Sequence, residues 1–308
     1  MKETRKPILV TGSHRSGTTW AGKNLALAPN TGYIHEPFNI DIHLGVVGKP
    51  FRHWFQYISD ENFQGQYKDA IDRVIGYRYP LLDNLARNRT LQGAKRIWKD
   101  QKHTLLHKMR SDTPIVKDPI AFFSADWLGR TYNMNVMVMI RHPAAFCSSL
   151  KIKTWAFNFN NFLAQPLLME RYLSPFEDEI RAYAQEEKDI IDQGILLWNC
   201  IHHTVSVYQR EHPEWVFARH EDLSSDPEGY FESIFRKFEL DFTPEVKAAI
   251  AQNSGSHNPA EQQADDEFKR DSKKNITNWK TRLSAEEIAH IRDKTRAISG
   301  TFYGDHEW

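Results

Sequence analysis

Thr11-Gly12-Ser13-His14-Arg15-Ser16-Gly17-Thr18-Thr19-Trp20 is the stretch on which the fold turns. It follows an apolar run, Pro7-Ile8-Leu9-Val10, and opens into a segment of helical character, Trp20 to Leu27. Strand, glycine-bounded loop and helix in that order make the P-loop arrangement. Backbone N–H groups at the start of such a helix form a nest that favours a phosphate or a similar anion. The interval from Gly12 to Gly17 fits the pattern, but Thr18 stands where a nucleoside-triphosphate site carries its lysine. A cation is supplied three residues earlier, by Arg15. The loop therefore reads as built for a tetrahedral anion other than ATP or GTP.

Outward from this loop, four more short apolar runs follow: Gly32 to Glu36, Pro114 to Asp118, Asn135 to Arg141 and Glu214 to Arg219. With the first, Pro7 to Gly12, they predict about five strands. Helical segments are predicted at Gly17 to Pro29, Ala121 to Tyr132, Pro143 to Lys151, about Phe176 to His212, Pro227 to Phe238 and Ser284 to Ile298. Ser284 and Glu287 make a capping box for the last of these. Strands alternating with helices imply an α/β fold, a P-loop-type parallel sheet with helices on both faces. Each run ends in polar residues, such as His35-Glu36-Pro37, Lys117-Asp118-Pro119 and Arg141-His142-Pro143. Open sheets of this kind bind ligands beyond the carboxyl ends of their strands, so these residues should converge on one crevice.

The chain has 308 residues and balances 40 Lys/Arg against 40 Asp/Glu. That neutrality argues against a nucleic-acid binder. Cys147 and Cys200 lie far apart in apolar surroundings and read as buried free thiols. No signal peptide and no apolar run of membrane-spanning length is evident, so a cytoplasmic location is expected, with no transmembrane segment. Between the second and third strands lies an insertion, residues 41–112, expected to be mainly helical and to bind the acceptor of any reaction. It holds thirteen Lys/Arg against eight Asp/Glu, a basic surplus of five, together with Phe51, Trp54, Phe55, Tyr57, Tyr77, Tyr79 and Trp98. A second aromatic stretch runs from Trp155 to Phe162. Both stretches are read equally as lid packing or as substrate contacts.

Arg141 ends an apolar strand, Pro143 falls at the first position of the next helix, and Ser149 lies on its second turn. An Arg and a Ser so placed suit a second phosphate clamp. The two motifs together, Arg15-Ser16-Gly17-Thr18-Thr19-Trp20 and Arg141-His142-Pro143 with Ser149, resemble the PAPS-dependent sulfotransferase family. Further similarity covers Tyr33 to Phe38, Glu221 to Pro227 and Asn278-Trp279-Lys280. The resemblance is closer to the carbohydrate and protein-tyrosine branches than to the cytosolic phenol and steroid branch. It spans nearly the whole chain apart from the insertion, which implies a single domain, 1–308.

The resemblance implies transfer of a sulfuryl group from 3′-phosphoadenosine-5′-phosphosulfate (PAPS), leaving 3′-phosphoadenosine-5′-phosphate (PAP). The acceptor is a hydroxyl or amine of a carbohydrate, glycolipid or other small molecule. In the family, the first loop holds the 5′-phosphosulfate, and the Arg and Ser of the second motif hold the 3′-phosphate. On this chain these are Arg15, Ser16, Gly17, Thr18 and Thr19, then Arg141 and Ser149. By the same resemblance Trp20 stacks on the adenine, with a core position the equal alternative, and Lys273 or Lys274 reaches the 3′-phosphate. Glu36 leads as the base, its pKa expected to rise toward neutral in a partly desolvated cleft; Asp118 is second, and His14 stands close enough in sequence to take part. No metal is expected: the donor is already activated, and the remaining histidines are read as lacking zinc-type spacing. A P-loop kinase-like phosphotransferase and a non-catalytic nucleotide-binding protein of the same fold are the alternatives.

Overall fold

The computed structural model describes residues 5–41, 50–63, 65–87, 90–255 and 272–308. Five strands form one sheet: β1 (Ile8–Gly12), β2 (Thr31–His35), β3 (Thr113–Lys117), β4 (Asn135–Ile140) and β5 (Val216–Arg219). Their order is β2-β3-β1-β4-β5, and every pairing is parallel. All five predicted runs became strands within two residues of their expected bounds. β1 and β3 are buried along their whole length, as strands covered on both faces are.

The pleat sends alternate residues to two apolar layers. Ile8, Val10, Ile115, Met137 and Met139 face one layer, completed by α1 (Thr18–Leu25). Leu9, Val116, Val136 and Val138 face the other. Between β2 and β3 come α2 (Gly65–Ile75), α3 (Leu81–Arg87) and α4 (Leu91–Arg110), so the insertion is mainly helical as predicted. After β3 follow α5 (Ala125–Tyr132), α6 (Pro143–Lys153) and two short turns, α7 (Asn160–Leu163) and α8 (Pro166–Leu168).

The expected long helix from Phe176 to His212 is instead two, α9 (Glu177–Gln185) and α10 (Ile190–Glu211). Glu186 is extended, and the Asp189 carboxylate caps α10 by accepting the Ile191 N–H at 2.7 Å. This local cap overrides the apolar periodicity that runs across the break. The chain closes with α11 (His220–Ser225), α12 (Pro227–Lys237), α13 (Pro244–Ser254), α14 (Lys274–Thr277) and α15 (Ala285–Ser299). The Ser284–Glu287 capping box forms in both directions. α12 and α13 join α1 over the first layer, while α5, α6 and α10 cover the second. Among the described residues, no helix is long and apolar enough to cross a membrane.

Candidate active site

The loop after β1 depends on two glycines. Gly12 adopts φ 127°, and a Cβ there would stand 2.2 Å from the Met139 carbonyl oxygen on β4. Gly17, at φ 93°, caps α1 from the left-handed region. Between them Arg15 is also left-handed, at φ 64°. Ser16 turns inward and donates to the Ser13 carbonyl at 2.5 Å. The first amides of α1, those of Thr18, Thr19 and Trp20, have no acceptor within the helix and mark its positive end.

Arg141, at the end of β4, meets this loop. Its Nη1 donates to the Arg15 carbonyl at 2.7 Å, and its Nη2 donates to Asn275 Oδ1 at 3.0 Å. Arg15 Nε in turn donates to Ser149 Oγ on α6 at 2.9 Å. The two predicted anion motifs are thus joined by hydrogen bonds into one structure. Trp198 on α10 fixes the turn by donating its indole N–H to the Arg141 carbonyl at 2.9 Å. Burial, with Glu221 opposing and Arg15 adding to it, pulls the Arg141 guanidinium down to about 10, so it remains a cation at neutral pH. Its Nε finds no hydrogen-bond partner among the described residues. A buried, charged and unsatisfied donor suits an anionic ligand.

The cleft around these groups lies beyond the carboxyl ends of β1, β3 and β4. Among the described residues, Arg15, Arg141, Lys153 and Arg282 line it against a single carboxylate, Glu36. Gly17, Thr18, Thr19 and Ser149 also face it. Ser16 and Trp20 do not: Ser16 is buried, and Trp20 is fully buried against Phe231, ring centroids 5.4 Å apart. The stacking role expected for Trp20 is therefore replaced by a core role. Lys273 and Lys274 are exposed outside the cleft wall, and the same segment presents Asn275, Asn278 and Arg282 instead. Lys153 and Arg282 were missed in the sequence. Lys153 carried a signal, since it stands one helical turn after Ser149 on α6.

Glu36 lines the cleft at φ 45°, with its side chain 16% exposed. Beneath it Lys117, wholly buried, ion-pairs with Oε1, while Asn39 Nδ2 donates to Oε2 at 2.7 Å. Burial alone would raise this carboxyl, but the Lys117 charge and hydrogen bond, with Asn39, outweigh it and hold it below its ordinary value. The expected rise toward neutral is thus reversed. The cause is the register of β2 with β3, which pairs His35 with Lys117.

Asp118 does not line the cleft. Its carboxylate accepts the N–H groups of Phe38 at 2.6 Å, Ile120 at 2.9 Å and Ala121 at 3.2 Å. Burial, then the Glu36 charge, pushes it up to about 7, but its acceptor positions are spent on holding two loops. His14 lies in the cleft wall among Phe146, Trp155, Phe55 and Trp54. Burial, with Arg15 next, lowers it to about 3, which makes it a neutral imidazole.

His14 and Trp155 also wall a second chamber, completed by Asp41, Trp54, Phe157, Asn158 and Asn161. Trp54 is held by its indole N–H to Asp41 Oδ2 at 2.9 Å and by its amide to Asn161 Oδ1 at 3.0 Å. Among the described residues no Lys or Arg lines this chamber. The described Lys and Arg residues of the insertion therefore lie elsewhere, and Phe51, Phe55, Tyr57 and Tyr77 serve as core.

One histidine pair does have zinc-type spacing, contrary to expectation. His103 and His107 stand four apart on α4 with their Nε2 atoms 3.1 Å from each other, and His107 Nδ1 lies 2.7 Å from Asp112. They form a pair; no cluster of three or more metal-ligating side chains occurs among the described residues. Cys147 and Cys200 are free and buried, and burial raises both thiols.

A model of the sulfotransferase family matches residues 7–244. Among solved structures, a sulfotransferase domain from the Synechococcus PCC 7002 olefin synthase aligns with a TM-score of 0.51 at 13% identity, covering 99% of this chain and 98% of its own. A sulfotransferase domain from the curacin biosynthetic pathway aligns at 0.49 and 14% identity, covering 95% and 98%. No curated protein matches significantly.

Proposed function

The chain belongs to the sulfotransferase family, and from that premise we propose that it moves a sulfuryl group from PAPS to a hydroxyl or amine of an uncharged carbohydrate, glycolipid or other small molecule. The observation that carries the donor assignment is the joined pair of anion sites, in which Arg141 bonds the Arg15 carbonyl and Arg15 bonds Ser149. A nucleotide with phosphate groups at both its 3′ and 5′ positions spans two such clamps. A loop with Thr18 in place of the triphosphate lysine suits it better than ATP.

In this reading the loop amides and Arg15 hold the 5′-phosphosulfate and stabilise charge on the leaving phosphate oxygen. Arg141, with Ser149, Asn275 and Arg282 near it, holds the 3′-phosphate. The acceptor oxygen attacks sulfur in line as the bond from sulfur to the phosphate oxygen breaks, and the acceptor proton passes to the Glu36 carboxylate. Lys117 keeps that carboxylate ionised and ready. Neutral His14 forms the wall between donor cleft and acceptor chamber.

The acceptor chamber, with the Trp54 and Trp155 rings, the Asn158 and Asn161 amides and no cation among the described residues that line it, suits a hydroxylated ring better than an anion. Within the single domain 1–308, the insertion 41–112 contributes Asp41 and Trp54 to that chamber.

The test is transfer of label from radiolabelled PAPS to a panel of neutral glycosides, phenols and their carboxylated or sulfated counterparts. Label on neutral hydroxyl acceptors, abolished by excess PAP, supports the reading. Label only on anionic acceptors contradicts the acceptor assignment, and phosphate transfer from ATP with magnesium contradicts the donor.

A further inference from the structure

The α3–α4 hairpin carries a surface unlike the rest of the molecule. Seven of the eleven large apolar side chains that are exposed among the described residues fall on these two helices. Leu82 is 81% exposed, Met109 74% and Trp98 70%. On α4, Trp98, Leu105 and Met109 follow one another at i, i+7 and i+11, which sets them along one stripe. The residues that α4 buries, Ile97 and Thr104, keep the same interval one position earlier, so the two stripes lie about 100° apart around the helix. α4 is therefore amphipathic toward the protein and carries a second apolar stripe turned outward.

Charge says what covers that stripe. Residues 65–110 hold eleven Lys/Arg against four Asp/Glu, an excess of seven in a chain whose total is zero. Lys95, Lys99 and Lys102 are exposed and border the stripe on one side. Lys102 extends over the Trp98 ring, its Nζ 5.8 Å from the centroid. Two copies of this face would set like charges against one another, which disfavours self-association. An apolar protein groove would leave the lysines unused. A surface with anionic headgroups above an acyl layer satisfies both parts, indole and methionine at the boundary and ammonium groups among the phosphates.

We propose that the α3–α4 hairpin docks this protein onto an anionic lipid surface, lying in the interface with the Trp98–Leu105–Met109 stripe inserted and Lys95, Lys99 and Lys102 on the headgroups. The proposal is independent of the catalytic reading, since it concerns a different face and needs no turnover to test.

The experiment is co-sedimentation of the full chain with phosphatidylcholine vesicles, with and without phosphatidylserine, at low and high salt. Binding is expected to the phosphatidylserine vesicles, and salt should weaken it. Each lysine contributes about fivefold, so Lys95→Glu/Lys99→Glu/Lys102→Glu should lower the partition coefficient by about a hundredfold or more. Trp98→Ala/Met109→Ala should lower it as well, and Lys294→Glu on α15 should leave it within about twofold. All these side chains are exposed, and circular dichroism would verify the fold of each variant. Three results would overturn the proposal: no binding to either vesicle at low salt, an equal loss with Lys294→Glu, or a dimer in sedimentation velocity that Trp98→Ala/Met109→Ala dissolves without any change in lipid binding.

Discussion

Replacing Lys117 by methionine isolates the electrostatics beneath the proposed base. Lys117 is fully buried, and Glu36 is its ion-pair partner. Burial acts to raise the Glu36 carboxyl, while the Lys117 charge and hydrogen bond, and the Asn39 amide, bring it below 4.5. A carboxyl lowered in the fold contributes stability that is present above pH 4.5 and lost as pH falls through the folded value. The same ionised form is the one that takes the acceptor proton.

The acid limb of kcat/KM in the wild-type protein should therefore lie below 4.5. In Lys117→Met only the Asn39 hydrogen bond and the His35 charge still oppose burial, so the limb should move upward. Methionine keeps most of the apolar stem, so the folding cost is mainly that of the orphaned carboxylate. Breaking a buried pair costs about 3–5 kcal/mol. Glu36 remains 16% exposed and keeps the Asn39 bond, so we expect the lower end, about 3 kcal/mol at neutral pH. pH profiles of kcat/KM for both proteins, with thermal melts at neutral pH, measure the two effects. A wild-type limb near neutrality, or a limb that does not move in Lys117→Met, would remove Glu36 as the proton acceptor.

Three further outcomes follow from the same geometry. Glu36→Gln should lower kcat by about 10²–10⁴-fold in single-turnover assays while PAP affinity stays within a few-fold, as a general base requires. Trp54→Ala should raise the acceptor KM about tenfold with the PAP dissociation constant unchanged, since Trp54 walls the acceptor chamber and does not line the donor cleft. Trp20→Leu should lower unfolding stability by about 2–3 kcal/mol in chemical denaturation without weakening PAP binding, because Trp20 packs on Phe231 rather than on ligand.

The sheet was legible because its central strands, β1, β3 and β4, are buried on both faces and so appear as continuous apolar runs, each closed by polar residues. The anion loop was legible because Gly12 and Gly17 sit where the backbone requires positive φ. What remained hidden depends on partners distant in sequence. Trp20 opens a helix next to the loop, but only the later placement of Phe231 shows which way it points. The direction of the Glu36 shift follows from strand register, since β2 beside β3 brings Lys117 under it. Arg282 and Asn275 reach the cleft from the far end of the chain. The aromatic residues of the insertion share one composition yet divide three ways: Phe55 in the core, Trp54 in the chamber and Trp98 in solvent. The break between α9 and α10 was decided by one carboxylate, that of Asp189.

The central claim, that one cleft holds a nucleotide by anion clamps at two positions, is tested most directly by calorimetric titration with PAP, beside ATP with magnesium and beside Arg141→Ala. Arg141 offers charge-assisted donors, each worth about 1.5–3 kcal/mol to an anion, so its loss should weaken binding by about a hundredfold or more. The account predicts clear PAP binding by the wild-type protein, that loss in Arg141→Ala, and little heat with ATP. Tight ATP binding with none for PAP, or PAP binding that Arg141→Ala leaves intact, would contradict it.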